Sequence, residues 1–547
     1  MKRHLEELLR QALSAAIADG ALPLAALPPL TIETPSDPRF GDLACNVAMV
    51  VARELGRPPR AIAELILGRL EDPAGWLAAR EVAGPGFINF RFAPAFWQMI
   101  LREALAAGES YGASTVGAGR RVQVEFVSAN PTGPLTVGHG RNAVLGDTLA
   151  RLLERAGWQV EREYYFNNAG RQMMLLGESV RARYLELIGR SAVFPEDGYH
   201  GEYIRDIARG LLERDGAGLA DADGAVFRKA AEQSILTAIR ATQDRLGITF
   251  DRYFNENSLY ESGSIERTLG TLEQRGLIVR REGAVWLRGE AVGLEQDRVL
   301  VKSSGEPAYR LPDIAYHLDK LGRGYAALLD VLGADHIAEH REVMAALRGL
   351  GHDTTHIRAV IYQFVTLTRN GEQVKMSTRR AEYVTLDELL DEVGVDAARF
   401  FFLTRKADSH LEFDLELAKQ QSTDNPVFYV QYAHARIASV LRQAAEVGHP
   451  VESTPDLRPL ADAELEPLRL VAAYPDVVDA AARDLEPHRI VFHALELAGA
   501  FHRYYNTHRI LSDDAALTQA RLAVVRSVQQ VLRSALHLAG VQAPERM

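Results

Sequence analysis

The sequence contains a single cysteine, Cys45, among its 547 residues. One thiol cannot form an intrachain disulfide framework or a thiolate zinc cluster, and this scarcity favours a reducing, cytoplasmic setting. No apolar run reaches the length of about 18 residues that a transmembrane helix needs, so no membrane span is predicted. The N-terminal stretch MKRHLEELLRQALSAAI is broken by acidic residues and has helical apolar spacing, which predicts an amphipathic helix rather than a signal peptide.

The sequence also lacks an excess of basic residues. Its 62 Lys and Arg stand against 73 Asp and Glu, which gives a formal net charge of −11. This balance argues mildly against a nucleic-acid partner, because basic patches dominate such affinity, but a large acidic enzyme can still carry local basic faces. At about 100–200 residues per domain, the length predicts three or four domains.

Three regions differ in their hydrophobic patterns. Residues 1–110 combine helical stretches with the alternating strand GPGFINFRF and predict an N-terminal α+β module. Residues 121–405 predict a Rossmann-like α/β domain, because the strand VQVEFV, a helix over 139–155 and the strand WQVEREYYF form a βαβ unit. A mainly helical insertion is predicted over about 171–300. Residues 411–547 are almost purely helical in pattern and predict an all-α bundle.

The turn NPTGPLTVGHGR, from Asn130 to Arg141, lies between the first strand of this α/β domain and its helix. Open α/β sheets bind ligands beyond the strand C-termini, and helix N-termini offer free N–H groups to phosphates. Gly138 and Gly140 would let a ring or a phosphate approach the backbone. His139 could hydrogen-bond a phosphate oxygen as negative charge develops. On glycine spacing alone, a β–α turn with a capping histidine is the simpler interpretation.

The longer string VEFVSANPTGPLTVGHGRNAVLGD resembles the first signature of class I aminoacyl-tRNA synthetases, and specifically that of arginyl-tRNA synthetases. The family's four-residue signature is usually His-x-Gly-His, whereas here Thr136 replaces the first histidine. Threonine can donate a hydrogen bond but carries no positive charge. The resemblance implies catalytic roles for Thr136, Gly138 and His139. The ATP contacts it implies in this stretch are Pro134, Gly138, His139, Arg141 and Asn142.

The string QVKMSTRRAEY, after the last predicted strand of the α/β domain, resembles the family's second signature. In that family this loop closes over ATP, and its lysines stabilise the pentavalent α-phosphate and the leaving pyrophosphate. The resemblance assigns Lys375 and Ser377 to catalysis and Met376 to ATP binding. The fourth signature position is Thr378 rather than lysine, so one of the two following arginines is a candidate for the missing charge.

An arginine substrate requires a carboxylate opposite its guanidinium, ideally in bidentate geometry. The resemblance places Tyr309 and Asp313 on the guanidinium side, and Glu125 and Asn130 on the α-amino and α-carboxylate side. The other substrate contacts that it implies are Ser128, Tyr316 and His317. Without the two signatures, the segment DIAYHL would be interpreted as an ordinary helix turn.

The segment GADH follows a predicted strand, and an aspartate and a histidine this close together suggest a metal site only weakly. In the family this segment borders the adenosine, so Gly333, Asp335 and His336 are expected near ATP. Mg²⁺ is expected to arrive on the ATP phosphates rather than in an all-protein cage.

Four further strings resemble the tRNA-binding parts of the family. RFGDLACNVAM and AGPGFINFRF resemble its N-terminal module, whereas NPVFYVQYAHARIASV and FHRYYNTHRIL resemble helices of its anticodon-binding bundle. Aromatic platforms and charged groups suit single-stranded bases, although tyrosines at helical spacing also suit a core. Strand alternation sends Phe87 and Phe90 to different faces. The tRNA contacts expected from these strings are Phe40, Asn46, Asn89, Tyr429, His434, Arg436, Tyr505 and Arg509.

The resemblance covers the whole chain in order and implies an arginine–tRNA ligase. L-arginine would attack the α-phosphate of ATP to give arginyl-adenylate, and the terminal ribose hydroxyl of tRNA(Arg) would then take the arginyl group. The first step can depend on bound tRNA, and the expected enzyme is a cytoplasmic monomer. Two alternatives stay open: a synthetase for another amino acid such as cysteine or glutamate, and a catalytically weakened paralogue acting as an RNA-binding or regulatory protein. Only Thr136 and Thr378 support the second alternative.

Overall fold

The computed structural model describes residues 1–374, 384–452 and 455–547, apart from the side chain of Pro38. The second signature, with Lys375, Met376, Ser377 and Thr378, therefore lies outside the described residues. Among the described helices, none is both long and apolar enough to cross a membrane.

The N-terminal part is an antiparallel sheet with the strand order β1-β2-β4-β3, covered by helices. Its elements are α1 (Lys2–Ala18), β1 (Ile32–Glu33), β2 (Leu43–Cys45), α2 (Val47–Leu55), α3 (Pro59–Leu67), β3 (Leu77–Ala83), β4 (Phe87–Phe92) and α4 (Pro94–Ala107). Side chains alternate across β4, so Phe90 is 1% exposed and Phe87 is 38% exposed. The predicted separation of these two phenylalanines to opposite faces is confirmed.

The middle part contains a five-stranded parallel sheet. Its elements, with those inserted between the strands, are β5 (Arg121–Glu125), α5 (Val137–Arg155), β6 (Gln159–Phe166), α6 (Arg171–Leu187), α7 (Glu202–Asp215), α8 (Gly224–Arg245), β7 (Arg252–Asn255), α9 (Asn257–Glu261), α10 (Ser264–Gln274), β8 (Ile278–Arg281), β9 (Ala284–Leu287), α11 (Gly289–Val292), β10 (Arg298–Val301), α12 (Arg310–Gly322), β11 (Ala327–Gly333), α13 (Ile337–Gly349) and β12 (Ile357–Tyr362). The strand order is β12-β11-β5-β6-β7, and all neighbours are parallel. The order therefore reverses between β5 and β11, which is where doubly wound sheets bind ligands.

Two local features of this middle part follow from glycine. Gly157 follows the end of α5 with a φ of 82°, a left-handed conformation that ends the helix where the sequence predicted. The predicted hairpin is present as β8 and β9, and its turn residues Glu282 and Gly283 both have positive φ, as a type I′ turn requires. Strand β7 was not predicted, because its four residues lie within the segment that the sequence analysis interpreted as a helical insertion.

The last part completes the α/β domain and adds a helical bundle. Its elements are β13 (Val365–Arg369), β14 (Glu372–Gln373), α14 (Leu386–Val393), α15 (Val395–Phe402), β15 (Leu411–Asp414), α16 (Leu415–Lys419), α17 (Pro426–Glu446), α18 (Glu466–Asp484), α19 (His488–Thr507) and α20 (Ala515–Leu538). Asn425 caps α17 by accepting a hydrogen bond from the backbone N–H of Val427 at 3.2 Å, and Pro426 occupies the first helical position. The bundle packs into the same hydrophobic core as the N-terminal part and one face of the parallel sheet.

One buried arginine joins the bundle to helix α5 of the α/β domain. Arg399 of α15 is fully buried. Its guanidinium donates hydrogen bonds to the carbonyl oxygens of Ala539 and Leu246, each at 2.8 Å, and to the carboxylate of Asp147 at 2.5 Å. Because Asp147 belongs to α5 and Ala539 follows α20, one side chain connects the central helix of the α/β domain to the end of the last helix.

Candidate active site

A cleft of about 480 Å³ opens at the C-terminal ends of β5 and β11, where the strand order reverses. Such crevices are the usual ligand sites of open α/β sheets. The predicted site residues that line it are Glu125, Ser128, Asn130, His139, Asn142, Tyr309, Asp313, Gly333 and His336. The fold thus brings together residues that are more than 200 positions apart in the sequence.

The backbone after β5 is held in an unfavourable conformation beside this cleft. Val127 and Ser128 have φ values of 65° and 41°, which non-glycine residues rarely adopt, least of all a β-branched valine. Asn142 stabilises this turn, because its Oδ1 accepts a hydrogen bond from the N–H of Val127 at 2.7 Å while its Nδ2 donates to the carbonyl of Val331 at 3.0 Å. The Asn142 amide therefore holds the ends of β5 and β11 in place. Strain of about 1–3 kcal/mol per residue is typical of sites where geometry serves function.

The start of helix α5 fixes the orientation of His139. Thr136 caps this helix, and its backbone N–H donates a hydrogen bond to His139 Nδ1 at 3.1 Å. Since Nδ1 accepts, the proton of the neutral ring is on Nε2, which can donate a hydrogen bond to a ligand. Burial lowers the pKa of His139 to about 4, so the ring is neutral near pH 7. Thr136 thus acts on this turn through the orientation of His139.

Several predicted ATP contacts have other partners in the structure. Arg141 is fully buried, and its guanidinium donates to the carbonyl oxygens of Gln363 at 2.6 Å and Lys406 at 2.8 Å, so it does not face the cleft. Pro134 lines a separate groove between α7 and α8. The carboxylate of Asp335 is not part of the lining of the cleft, and its side chain is 63% exposed.

The two glycines of the turn differ in their surroundings. A Cβ atom on Gly138 would have open space around it, because its nearest neighbour would be Thr136 Oγ1 at 3.8 Å. A Cβ on Gly140 would lie only 2.6 Å from Leu386 Cδ1, which is too close for a real contact. Gly140 therefore permits close packing of α5 against α14, and the expectation that it admits a ligand is wrong for this position.

The chain returns to this turn directly after the second signature. Thr385 forms an isolated antiparallel bridge with Thr136, and the N–H of Leu386 donates to the carbonyl of Leu135 at 2.8 Å. The described residues that follow Lys375 in the sequence are thus joined to the turn that carries His139. The described residues after the second signature therefore contact the first signature.

The floor of the cleft is an acidic pocket, which we define by Asp313, Glu125, Glu256 and Glu339. It continues into a smaller cavity of about 80 Å³ that Asp313, Glu125 and Glu339 also line. Burial raises the pKa of Asp313 well above its ordinary value, and the neighbouring carboxylates of Glu339, Glu256 and Glu125 raise it further. Burial also raises the pKa of Glu256 to about 7. Such a cluster favours a cationic ligand, because a positive charge relieves the mutual repulsion of the carboxylates.

A buried lysine sits beneath the acidic pocket. Lys320 is fully buried, and its ammonium group donates to Asp330 at 2.7 Å and also to Glu125. Burial alone would lower the pKa of Lys320, but Asp330 and Glu125 together raise it above its ordinary value. Glu125 accepts a further hydrogen bond from the Ser128 hydroxyl at 2.9 Å. This network neutralises part of the charge of Glu125 and leaves Asp313 without a described cationic partner within salt-bridge distance.

The remaining predicted substrate contacts lie at different depths. Tyr309 is 61% exposed and stands at the rim of the cleft. Tyr316 and His317 are buried and line the smaller cavity instead of the open cleft. The Tyr316 hydroxyl donates to Glu163 at 2.7 Å. Tyr316 therefore contributes its ring to the floor.

Comparison with known protein families covers almost the entire chain. Residues 3–92 match the arginyl tRNA synthetase N terminal domain, residues 100–422 match the class I (R) tRNA synthetase catalytic domain, and residues 430–547 match the DALR anticodon binding domain. An arginine–tRNA ligase of Desulfotalea psychrophila is 48% identical over 551 residues, which cover 100% of both chains. The chain belongs to the arginyl-tRNA synthetase family. The predicted family and fold class are confirmed.

Further relatives support the assignment of this chain to the arginyl-tRNA synthetase family. The arginine–tRNA ligase of Chlorobium phaeovibrioides is 48% identical over 530 residues, covering 95% of this chain and 96% of that protein. The solved structure of the Thermus thermophilus arginyl-tRNA synthetase has a TM-score of 0.79 at 26% identity and covers 100% of both chains. A methionyl-tRNA synthetase from Mycobacterium tuberculosis, with a TM-score of 0.55 at 14% identity, shares the fold only. These relatives leave no support for the alternative of a cysteine or glutamate enzyme.

Several residues of the synthetase's cleft were not predicted from the sequence. Glu256 follows the unpredicted strand β7, and Glu339 lies on α13, so neither carried a motif. Lys320 could have been found, because Asp313, His317 and Lys320 are four and three residues apart and share one helix face. A lysine on the same face as two predicted pocket residues indicates a buried ion pair.

Two expected tRNA contacts of this arginyl-tRNA synthetase are buried. Asn89 is only 5% exposed within β4. His434 is fully buried, and its Nδ1 donates to the carbonyl of Pro544 at 2.7 Å, so this histidine holds the C-terminal segment against α17. Both are structural in the free enzyme. Phe40, in contrast, is 49% exposed, and Asn46 is half-buried at the start of α2.

The other expected tRNA contacts of the synthetase form a surface patch on α17 and α19. The guanidinium of Arg436 lies 4.1 Å from the ring centroid of Tyr505 and 5.6 Å from that of Tyr432. Tyr429 packs beside them against His502 at a centroid distance of 4.7 Å. These aromatic side chains are half-buried, so part of each ring is available at the surface. We call Tyr429, Tyr432, Arg436 and Tyr505 the tyrosine patch, and Arg509 is exposed a short distance beyond it in sequence.

Proposed function

We propose that this arginine–tRNA ligase binds the guanidinium of its substrate in the acidic pocket, with Asp313 as the principal partner. The observation that carries the proposal is the position of the half-buried Asp313 among three other carboxylates that line the cleft where the strand order reverses. A guanidinium carries a permanent charge and a planar fork of donors, so it satisfies a buried carboxylate better than a small inorganic cation or an ammonium would.

The rest of the amino acid would extend toward the end of β5. Tyr309 stands at the rim above Asp313, where its hydroxyl can contact the side chain of the substrate. Asn130, just after the strained turn, and Ser128, within it, line the same cleft and offer an amide and a hydroxyl to the α-carboxylate and α-amino groups. Glu125 would complete the α-amino site, since a carboxylate already bonded to Lys320 and Ser128 can still accept another hydrogen bond.

ATP would lie across the N-terminus of α5. His139 is neutral and can donate its Nε2 proton to a phosphate oxygen, while the helix N-terminus adds free N–H groups. Gly333 and His336 would border the adenosine, because both line the same cleft at the end of β11. Mg²⁺ would be bound through the phosphates of ATP and would screen their charge.

The positive charge on the phosphates would come from the second signature. We assign this role to Lys375, with Ser377 and Met376 as further ATP contacts, by resemblance to the family. The bridge between Thr385 and Thr136 supports the assignment, because it brings the described end of that stretch to the first signature. Thr136 itself carries no charge and serves to orient His139.

The reaction would proceed in two displacements. A carboxylate oxygen of arginine attacks the α-phosphorus of ATP, the bond to pyrophosphate breaks, and arginyl-adenylate forms. The terminal ribose hydroxyl of tRNA(Arg) then attacks the arginyl carbonyl, loses its proton, and displaces AMP. Positioning and electrostatic stabilisation carry both steps, and the protein forms no covalent intermediate.

The flanking parts would bind the tRNA. We propose that residues 1–110, with the exposed Phe40, contact its outer corner, that residues 121–405 form the catalytic unit, and that residues 411–547 read the anticodon with the tyrosine patch and Arg509. Half-buried tyrosines beside an arginine suit unstacked bases. We further expect a monomer that works in the cytoplasm.

The decisive experiment is ATP–pyrophosphate exchange with each of the twenty amino acids, with and without tRNA(Arg). Exchange that depends on arginine supports the proposal, whether or not it also requires tRNA(Arg). A catalytically weakened paralogue, which Thr136 and Thr378 favour, would bind tRNA(Arg) but would support no exchange under either condition. Exchange with another amino acid at a rate similar to that with arginine would contradict the pocket assignment.

A further inference from the structure

Three side-chain atoms that can act as metal ligands lie close together next to the smaller cavity below the acidic pocket. Asp330 Oδ2 lies 3.1 Å from His317 Nε2 and 3.4 Å from His340 Nε2. All three ligand atoms lie within 4.8 Å of one another. We call these residues the His–Asp–His cluster. None of the roles proposed above for arginine, ATP or tRNA uses Asp330 or His340.

The hydrogen bonding of His317 leaves its Nε2 atom without a proton. His317 Nδ1 lies 2.9 Å from the backbone carbonyl oxygen of Asp313, and a carbonyl oxygen can only accept, so Nδ1 carries the proton. In the neutral ring the Nε2 atom is then a bare lone pair that faces a carboxylate oxygen. Two acceptors at 3.1 Å repel each other unless a cation lies between them. A backbone carbonyl bonded to Nδ1 is also the usual arrangement that orients a metal-binding histidine.

His340 points to the same position. Its Nε2 atom is buried and has no hydrogen-bond partner at good geometry among the described residues, where its ionic partner is Asp330 Oδ2. The side chain is 14% exposed, and those of His317 and Asp330 are 9% and 2% exposed. Water therefore has little access to these atoms.

The two distances from Asp330 Oδ2 to the histidines suit a tetrahedral zinc ion. With Zn–N and Zn–O bonds of about 2.0–2.1 Å, neighbouring ligand atoms are about 3.3 Å apart. The distances from Asp330 to the two histidines, 3.1 and 3.4 Å, bracket this value. Two histidines and one carboxylate, with a fourth position open, form a common zinc ligand set. The adjacent cavity of about 80 Å³ leaves room for a water molecule at that position.

The local charge does not oppose a divalent cation. Lys320 contacts Asp330 through the other carboxylate oxygen, Oδ1, and leaves Oδ2 free for the histidines. Together with Asp330, the carboxylates of Glu125 and Glu339, which line the same cavity, outweigh the charge of that one lysine.

We propose that His317, Asp330 and His340 form a zinc-binding site at the base of the cleft. Zinc in this site would lie beside the carboxylates that we assign to the guanidinium, so zinc and arginine would weaken each other's binding. This second part rests on the proposed function, whereas the metal site itself does not.

The test uses the full-length, metal-free enzyme and titrates it with Zn²⁺ by isothermal titration calorimetry. We expect saturable binding of one ion, and a His340→Ala variant should bind it at least about 100-fold more weakly, because even losing a supporting residue costs 10–100-fold. His352→Ala is the matched control, because His352 is exposed and lies outside the cluster, and it should bind zinc like the unmodified enzyme. Co²⁺ should give the visible absorption of a tetrahedral site in the unmodified enzyme and in His352→Ala only.

Two results would overturn the site: no saturable zinc binding by the unmodified enzyme, or equal affinity in His340→Ala. If the unmodified enzyme binds no zinc, the cation between His317 Nε2 and Asp330 Oδ2 is a proton on His317. His340→Gln, with thermal unfolding followed by circular dichroism, checks that a loss of binding is not a loss of fold. Repeating the titration with saturating arginine separates the two parts. Zinc binding that needs His340 but is unaffected by arginine would uphold the site and contradict the position proposed for the guanidinium.

Discussion

Replacing Asp313 by asparagine removes one negative charge from the acidic pocket and keeps the shape of the side chain. In the free enzyme this residue is half-buried, and desolvation and the nearby carboxylates of Glu339, Glu256 and Glu125 raise its pKa. The raised pKa means that the folded state holds the Asp313 proton more tightly than the unfolded chain does. The Asp313 carboxyl therefore lowers the free energy of unfolding as pH rises above the pKa that this group has in the unfolded chain. At neutral pH, Asp313→Asn should unfold at the same temperature as the unmodified enzyme or at a higher one.

The same substitution should greatly weaken arginine binding. Truncating one partner of a buried, hydrogen-bonded charge pair costs about 2–5 kcal/mol. At about 1.4 kcal/mol per decade, this corresponds to an increase in the arginine Kd of about 30-fold to a few thousand-fold. The Kd of ATP should change little, because Asp313 lies below the nucleotide position that we propose.

Calorimetric titration of arginine and of ATP into each variant measures both effects. Asp319→Asn is the matched control, because Asp319 lies on the same helix, has a 42% exposed side chain, and pairs with Arg323. This control should leave the arginine Kd unchanged. An arginine Kd for Asp313→Asn within about threefold of that of the unmodified enzyme would refute the pocket assignment, and a large fall in melting temperature would refute the stability argument.

The same geometry leads to three further predictions. Arginine should bind more tightly as pH rises from about 6 to 8, with release of a proton, because the guanidinium favours the charged pocket and the pKa of Glu256 is about 7. The raised pKa of Asp313 acts in the same direction, and calorimetry in two buffers measures the proton release. His139→Ala should lower the kcat of ATP–pyrophosphate exchange by about 100- to 1000-fold. In the unmodified enzyme, kcat should show no titration of His139 over the same pH range, because the pKa of this histidine is about 4. Gly540→Ala should lower the melting temperature more than Gly448→Ala does. Both glycines have positive φ, but only a Cβ at position 540 would collide with Arg399, so equal shifts would contradict this reasoning.

The features that the sequence predicted correctly depend on local pattern. Strand β5, helix α5 and strand β6 follow from an apolar run, a helical period and a second run, so the amino-acid pattern alone predicts the parallel sheet and its binding edge. The signature turn supplied Thr136 and His139. Tyr309 and Asp313 entered through family resemblance, and their place at the cleft follows from α12 packing across the sheet.

The features that the sequence did not reveal depend on contacts between distant segments. The bond from Lys320 to Glu125 spans 195 residues, and only the folded sheet brings the two together. Arg141 was expected at ATP because of its position beside the signature, but the helical turn directs it to the carbonyls of Gln363 and Lys406. Asn89 and His434 were expected to contact tRNA because they lie in strings that resemble the family's tRNA-binding parts, and their burial depends on tertiary partners.

The three hydrogen bonds of Arg399 have a consequence for communication along the molecule. Helix α5 carries His139 in its first turn and Asp147 two turns later, while Ala539 follows the helix that closes the bundle. A shift of the bundle's last helix relative to α5 would leave a buried guanidinium unsatisfied, which costs several kcal/mol. The two helices should therefore move together as one rigid body. A displacement that a bound tRNA imposes on the bundle would then be passed to α5, the helix that carries His139.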